Sequence, residues 1–381
     1  MTLTPYSDAV KVVLEAGGTP LELCYQCGLC TAACPWNLVK SFGVRKIIHQ
    51  SQLGLVDFES EDSWLCTTCR ACVDRCPRGV EIIDVMRALR RAMVGLRFGY
   101  VPHSLRFTLN NIAAVGNPLG EAREKRADWA KDRDVKRFTK GTELLYFSCC
   151  IPAYDLRIQR VAQAASDVLN RIGVDFGILG PEEGCCGESA RKAGDESLFQ
   201  SLAQGNIRAF AEKGIQKIVV SSPHCYYTFK NEYPELGGNF EVIHFTQYLS
   251  QLIEQQKVKF SKKLIKKVVY HDPCYLGRHS GIYDAPRHVL NSIPGLELVE
   301  LTDSREESLC CGGGGGRIWM ETKKEERFSD IRLGQAIGAG VEVLAVACPY
   351  CLLNFEDSLS GSDKDNTIEI KDVAELVREA L

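Results

Sequence analysis

Two copies of one cysteine run, Cys24-x2-Cys27-x2-Cys30-x3-Cys34-Pro35 and Cys66-x2-Cys69-x2-Cys72-x3-Cys76-Pro77, constrain this chain more than any other feature of its 381 residues. Thiolates are soft donors matched to iron-sulfur cores, and two-residue gaps let one loop supply three corners of a cube while the fourth cysteine of each run crosses to the other cluster. The spacing therefore predicts two [4Fe-4S] clusters. Cys24, Cys27, Cys30 and Cys76 are assigned to one, and Cys66, Cys69, Cys72 and Cys34 to the other. Two zinc ribbons would use only Cys-x2-Cys pairs and leave the third and fourth cysteines of each run unexplained. Amphipathic spacing over Val39 to Leu53 and Glu81 to Val94 predicts a helix after each run, hence a helical ferredoxin rather than a compact β-rich one. His49 in the first of these helices is expected at the surface or in packing, because eight thiolates already fill both clusters.

Composition sets the chemical context of the remaining thiols. The 18 cysteines are about 5% of the chain, below the ~8–10% of short secreted disulfide scaffolds. Met1 to Asp8 lacks a basic region followed by an apolar stretch, and no run approaches the ~18 apolar residues of a membrane span. The most apolar window, Val341 to Leu353, is broken by Glu342 and a Cys-Pro-Tyr-Cys turn and suits a buried strand. A cytoplasmic chain, or one peripheral to a membrane complex, is expected, where clustered cysteines serve as metal ligands or redox thiols. With 46 basic against 49 acidic residues the net charge is -3, which gives no field for nucleic acid.

Residues 77 to 148 hold no cysteine, and beyond them the chain repeats itself. Cys149 matches Cys274, Cys185-Cys186-Gly187 matches Cys310-Cys311-Gly312, and Ser222-Pro223-His224-Cys225 matches Cys348-Pro349-Tyr350-Cys351, at offsets of 125, 125 and 126. Within each copy, strand-like runs alternate with helical patterns, which argues for a mainly parallel sheet with the cysteines just past strand ends, where open α/β sheets place ligands. The helices are expected over Arg160 to Ile172, Glu196 to Glu212, Asp284 to Ser292 and Glu321 to Ile337. The organisation read from this is a helical ferredoxin domain over 1–100, a linker over 101–140, and α/β copies over 141–260 and 261–381. Glu121 to Asp134, dense in mixed charge, reads as a solvated connecting helix; Met93 to Leu119 reads either as a partner-docking segment or as a packed linker.

The second copy carries five cysteines, Cys274-x35-Cys310-Cys311-Gly312-x35-Cys348-x2-Cys351, one more than a single cubane or tetrahedral zinc needs. This pattern, present twice after a two-cluster ferredoxin segment, resembles the CCG-domain proteins, and specifically the D-type subunit of heterodisulfide reductase, in which a ferredoxin part and a duplicated CCG part are fused. The resemblance implies an α+β multidomain chain, with an N-terminal α-helical ferredoxin domain followed by two duplicated α/β CCG (cysteine-rich) domains. It further implies that Cys274, Cys310, Cys311, Cys348 and Cys351 hold a catalytic noncubane [4Fe-4S] cluster. A disulfide takes two electrons while cubanes deliver one at a time, so unusual iron coordination suits that chemistry.

The first copy departs from the pattern at Ser222. Its metal-binding candidates are Cys149, Cys150, Cys185, Cys186 and Cys225, and three readings stand: Cys150 replaces the missing thiolate and keeps a noncubane cluster, four cysteines hold a simpler iron-sulfur cluster or zinc, or the site is degenerate. His224 is matched by Tyr350, which argues against a ligand role. Gly312 to Gly316 lacks the phosphate-loop arrangement, so close packing against a cluster with amides donating to sulfur is expected. Arg317, Trp319 and His279 are candidates for a substrate pocket or for packing.

The functional expectation is an iron-sulfur electron-transfer and disulfide/thiol oxidoreductase subunit of a larger complex, fed by a flavoprotein, cytochrome b or quinone-linked partner. The alternative is a non-catalytic relay, similar to the iron-sulfur subunits of glycolate, lactate or anaerobic glycerol-3-phosphate oxidases, with the substrate chemistry left to the partner. A zinc-stapled scaffold is disfavoured by the ferredoxin runs.

Overall fold

The computed structural model describes residues 7–95, 99–360 and 367–381; Met1 to Tyr6 of the N-terminal stretch and residues 96–98 of the Met93 to Leu119 segment lie outside them. Each ferredoxin run ends in a single helical turn, Leu29–Ala32 or Ala71–Asp74, followed by a longer helix, Val44–Gln52 or Ile82–Gly95. The first long helix starts later than its apolar spacing suggests. Asn37 bonds both the amide and the carbonyl of Phe42 through its side chain, at 3.1 and 3.0 Å, and so holds the preceding stretch as a turn.

Eight strands follow: β1 (Leu144–Phe147), β2 (Phe176–Gly177), β3 (Lys217–Val220), β4 (Glu241–His244), β5 (Lys266–Tyr270), β6 (Leu296–Val299), β7 (Val343–Val346) and β8 (Glu369–Asp372). They form two parallel sheets of identical order, β2-β1-β3-β4 and β6-β5-β7-β8. β1 and β7 are buried along their whole length and correspondingly apolar, as strands covered on both faces must be. Helices Gln159–Ile172, Glu196–Lys213 and Asp284–Asn291 stand close to where periodicity puts them. Both copies close on the same capping box, His244 with Gln247 and Asp372 with Glu375.

Two expectations are corrected. The helix expected from Glu321 begins at Phe328, because Arg317 bonds the Glu321 carbonyl at 2.9 Å and the Thr322 hydroxyl at 2.6 Å and holds that stretch as a loop. The Glu121 to Asp134 stretch is not a solvated helix. It forms 3-10 turns over Arg123–Ala130, and tertiary packing buries Arg126 and Trp129 despite the charged composition. Ahead of it, helix His103–Val115 buries Leu105, Leu109 and Ile112, so this part of 101–140 is packed.

The three parts meet at one side chain. Arg90, fully buried on helix Ile82–Gly95, donates to the carbonyls of Ser63 and Cys66 in the ferredoxin part, Lys192 in the first copy and Gly315 in the second, at 2.7 to 3.1 Å. The glycine run packs against the same place: a Cβ on Gly314 would lie 2.3 Å from the Thr67 carbonyl oxygen, and one on Gly315 2.4 Å from that of Cys66. Replacing Arg90 by Met leaves these carbonyls buried without a donor and is expected to cost about 3–5 kcal/mol in urea denaturation. A cost under ~1 kcal/mol would contradict a joining role.

Candidate iron-sulfur sites

Each ferredoxin run curls because residues flanking its second cysteine take left-handed backbone conformations: Gln26 and Gly28 around Cys27, and Thr68 and Arg70 around Cys69. Alternating handedness turns successive amides inward, a concavity suited to an anionic cluster. The amides of Thr68 and Val80 each donate to a cysteine sulfur, Cys66 and Cys76, at 3.4 Å. Cys24, Cys27, Cys30 and Cys76 line one cavity, where Cys27 is exposed. Cys34, Cys66, Cys69 and Cys72 form the second group: burial pushes the Cys72 thiol up, and Cys66, Cys69 and Cys34 push it further. The fold thus brings together the two crossed sets that the spacing suggested, with donor chemistry fitted to iron-sulfur clusters.

In each sheet the order places the switch point between the first and third strands, and the cysteines lie beyond the carboxyl ends of that pair. In the second copy the thiols are neighbours in the order Cys274, Cys310, Cys311, Cys351, Cys348, all buried, with the Cys351 thiol bonded to Cys311 Sγ at 3.3 Å. The Gly312 amide donates to Cys310 Sγ at 3.3 Å, so one of the two expected roles of the glycine run holds; its close packing is against the ferredoxin loop. Cys310 also reaches Cys69 of the second ferredoxin group. The surrounding loop grips the same segment: Tyr275 bonds Thr68 Oγ1 at 2.8 Å, Arg278 bonds the Cys69 carbonyl at 2.7 Å, and His279 lies 2.7 Å from the Thr68 carbonyl. His279 is therefore a packing residue. Trp319, bonded to Ser189 Oγ at 2.9 Å, packs between the copies, whereas Arg317 lines an open-sided cleft of about 160 Å³ that reaches Cys311.

Sequence reasoning missed His271. Its ring is fully buried, neither nitrogen has a hydrogen-bond partner among the described residues, and a ring nitrogen lies with the Cys311 and Cys351 sulfurs inside 4.8 Å. Burial holds it neutral, well below the usual imidazole range. His224 belongs to the first copy yet reaches Cys348 of the second. It sits 2.9 Å from Glu188 and packs between Tyr275 and Tyr350, with ring centroids 4.1 and 4.4 Å away. Burial opposes its charge, but Glu188 and Cys348 outweigh it and push the imidazole up to about 10. Burial likewise raises Cys348, while hydrogen bonds from Cys351 and His224 bring it down to about 5.

All five cysteines of the first copy line one cavity together with Ser222. The row of neighbouring thiols runs Cys150, Cys185, Cys186, Cys225, Cys149, with 3.4 Å between the Cys186 and Cys225 sulfurs. Beside it, Arg126 and Glu183 pair at 2.6 Å, both fully buried, and the guanidinium donates to Cys150 Sγ at 3.5 Å. Glu183 also accepts from the Ser148 amide and hydroxyl, at 3.2 and 3.0 Å. Nothing in the sequence marks this pair, since Arg126 sits within a charge-rich stretch.

Residues 144–230 and 268–356 match the cysteine-rich CCG domain, and residues 23–81 the 4Fe-4S dicluster domain. The chain is 32% identical to the D-type subunit of the dihydromethanophenazine:CoB–CoM heterodisulfide reductase of Methanosarcina barkeri, over 95% of this chain and 94% of that one. The chain belongs to the family of that heterodisulfide reductase subunit. It is also 38% identical to the EtfAB:quinone oxidoreductase of Syntrophomonas wolfei and 37% to the probable iron-sulfur-binding oxidoreductase FadF of Bacillus subtilis, over 84% of this chain in each case. It spans about half, 47%, of the length of those two relatives. In fold it is similar to a hypothetical protein from Helicobacter pylori, with a TM-score of 0.56 at 10% identity over 97% of this chain and 76% of that one. No helix among the described residues of this family member is long and apolar enough to cross a membrane.

Replacing Arg126 by Met leaves Glu183 buried without its partner and is expected to cost about 3–5 kcal/mol in denaturant unfolding. Adding Glu183→Leu should recover part of that loss, the remainder reflecting the Ser148 amide and hydroxyl left without their acceptor. A double variant no more stable than the single would contradict the pairing account.

Proposed function

We propose that this chain is an electron-transfer and disulfide/thiol oxidoreductase subunit of a redox complex. In this reading Cys24, Cys27, Cys30 and Cys76 hold the cubane that receives electrons, and Cys34, Cys66, Cys69 and Cys72 hold the second. Cys274, Cys310, Cys311, Cys348 and Cys351 would hold the noncubane cluster, which would supply the redox chemistry of the disulfide site. The balanced reaction is RSSR′ + 2 e⁻ + 2 H⁺ → RSH + R′SH, with both electrons supplied by a flavin-, quinone- or cytochrome-linked partner.

The observation that carries catalysis is the cleft at Cys311. It is lined by Arg317 and Arg327 beside the apolar Trp36, Met320 and Phe328, a mixed cationic and apolar rim. A pure relay has no need of such an opening beside its terminal thiol. Electron flow toward it is supported by the neighbouring positions of Cys30 and Cys72 and of Cys69 and Cys310, which set the groups in sequence. At the other end the exposed Cys27 lies in a segment with Leu23, Tyr25 and Leu29 at the surface, a face suited to a donor protein.

One observation favours the relay instead: the chain matches part of a protein named as a quinone oxidoreductase, in which this segment accounts for about half the length. Spectroscopy separates the two. Oxidised, fully loaded protein exposed to a low-molecular-weight thiol should develop a new paramagnetic signal that Cys311→Ser abolishes. A loaded chain with no thiol-dependent signal would overturn catalysis at this site in favour of the relay.

A further inference from the structure

The two copies do not correspond as counting cysteines suggests. In the first sheet Leu145 pairs with Ile218, and in the second Val269 pairs with Leu344. Ser222 and Cys348 stand four residues beyond Ile218 and Leu344, so Leu145 corresponds to Val269. Counting on from there, Cys150 falls on Cys274 and Cys149 falls on Pro273. The turns that follow agree. The carbonyl of Cys149 accepts the first helical bond, from Ala153, and the carbonyl of Pro273 accepts from Leu276 and Gly277. Cys150 is therefore the ordinary member of the motif, and Cys149 is the additional thiol.

Cys149 lies where a thiol is missing. β1 and β3 run parallel with Phe147 opposite Val220, and Cys149 and Ser222 each come two residues later, on adjacent strand ends. In the second copy the same two positions are Pro273 and Cys348. The thiol has changed strands: the second copy carries it after its third strand, the first copy after its first strand. The neighbours repeat the exchange, since Cys348 lies beside Cys351 and Cys149 beside the equivalent Cys225, its own thiol bonding the Phe147 carbonyl at 3.5 Å.

Backbone geometry gives independent support. Cys149 has φ 65° and ψ 164°, a region nearly confined to glycine, where any side chain is strained. A glycine would fit without that strain, so the strain attends the placement of a sulfur.

We infer that Cys149 supplies the fifth thiolate in place of Ser222, so that Cys149, Cys150, Cys185, Cys186 and Cys225 form a complete five-thiolate site for the same class of iron-sulfur cluster as the second copy. This rests on the reading of the second copy given under the proposed function. The chain would then carry about 16 iron atoms, four at each of four sites.

Iron content and Mössbauer spectra of anaerobically purified full-length protein test it. Cys149→Ser should lose the first copy's spectral component and lower iron from about 16 to about 12 per chain. Cys149→Ser combined with Ser222→Cys, which returns the thiol to the other strand, should restore both and also shows that the fold tolerates the change. Wild-type iron and spectrum in the single variant, or a loss that Ser222→Cys does not restore, would overturn the inference. Cys351→Ser distinguishes the two readings: if it leaves the wild-type iron and spectrum unchanged, the cluster of the second copy fails, whatever Cys149 does.

Discussion

The structure depends on how the loop from Cys66 to Cys69 is held. That loop belongs to the ferredoxin part, and its backbone carbonyls are satisfied from two sides: by Arg90 from the ferredoxin helix beneath, and by Arg278 from the second copy. Carbonyls taken from water without donors would cost roughly 1–3 kcal/mol each, so this junction is among the most consequential sets of polar contacts in the molecule. Two glycines permit it, because any side chain at Gly314 or Gly315 would collide with the loop. Arg90 then extends the junction to the first copy through the Lys192 carbonyl.

This arrangement couples stability to electron flow. The contacts that lock the second copy onto the ferredoxin part also bring Cys310 to Cys69, so the docking surface and the proposed electron path coincide. The first copy stands apart from that path at the cysteines yet touches its end, since His224 reaches Cys348 across the interface. The two thiol sites therefore share a wall made of His224, Glu188, Ser189 and Tyr350.

Much of this was legible in the sequence, because the legible part depends on local spacing. The ferredoxin runs fix which thiols converge, and alternating periodicity gave the strand and helix order of both copies. What escaped depends on register and on contacts between distant segments. Arg126 hides in a charged stretch because its partner Glu183 lies 57 residues on. His271 reads as part of a strand, and only the sheet carries it to Cys311. Aligning Cys149 with Cys274 by their nearly constant offset was off by one residue, since Pro273 follows the second copy's strand at the position Cys149 holds in the first.

The central claim is that electrons pass from the second ferredoxin group to the second copy's thiols through the contact of Cys69 with Cys310. The most direct measurement is electron paramagnetic resonance on fully loaded protein, partly reduced and treated with thiol so that both neighbouring sites are paramagnetic. The account predicts a spectrum split or broadened by magnetic coupling between the two sites. A spectrum equal to the sum of two independent, unbroadened signals would contradict it.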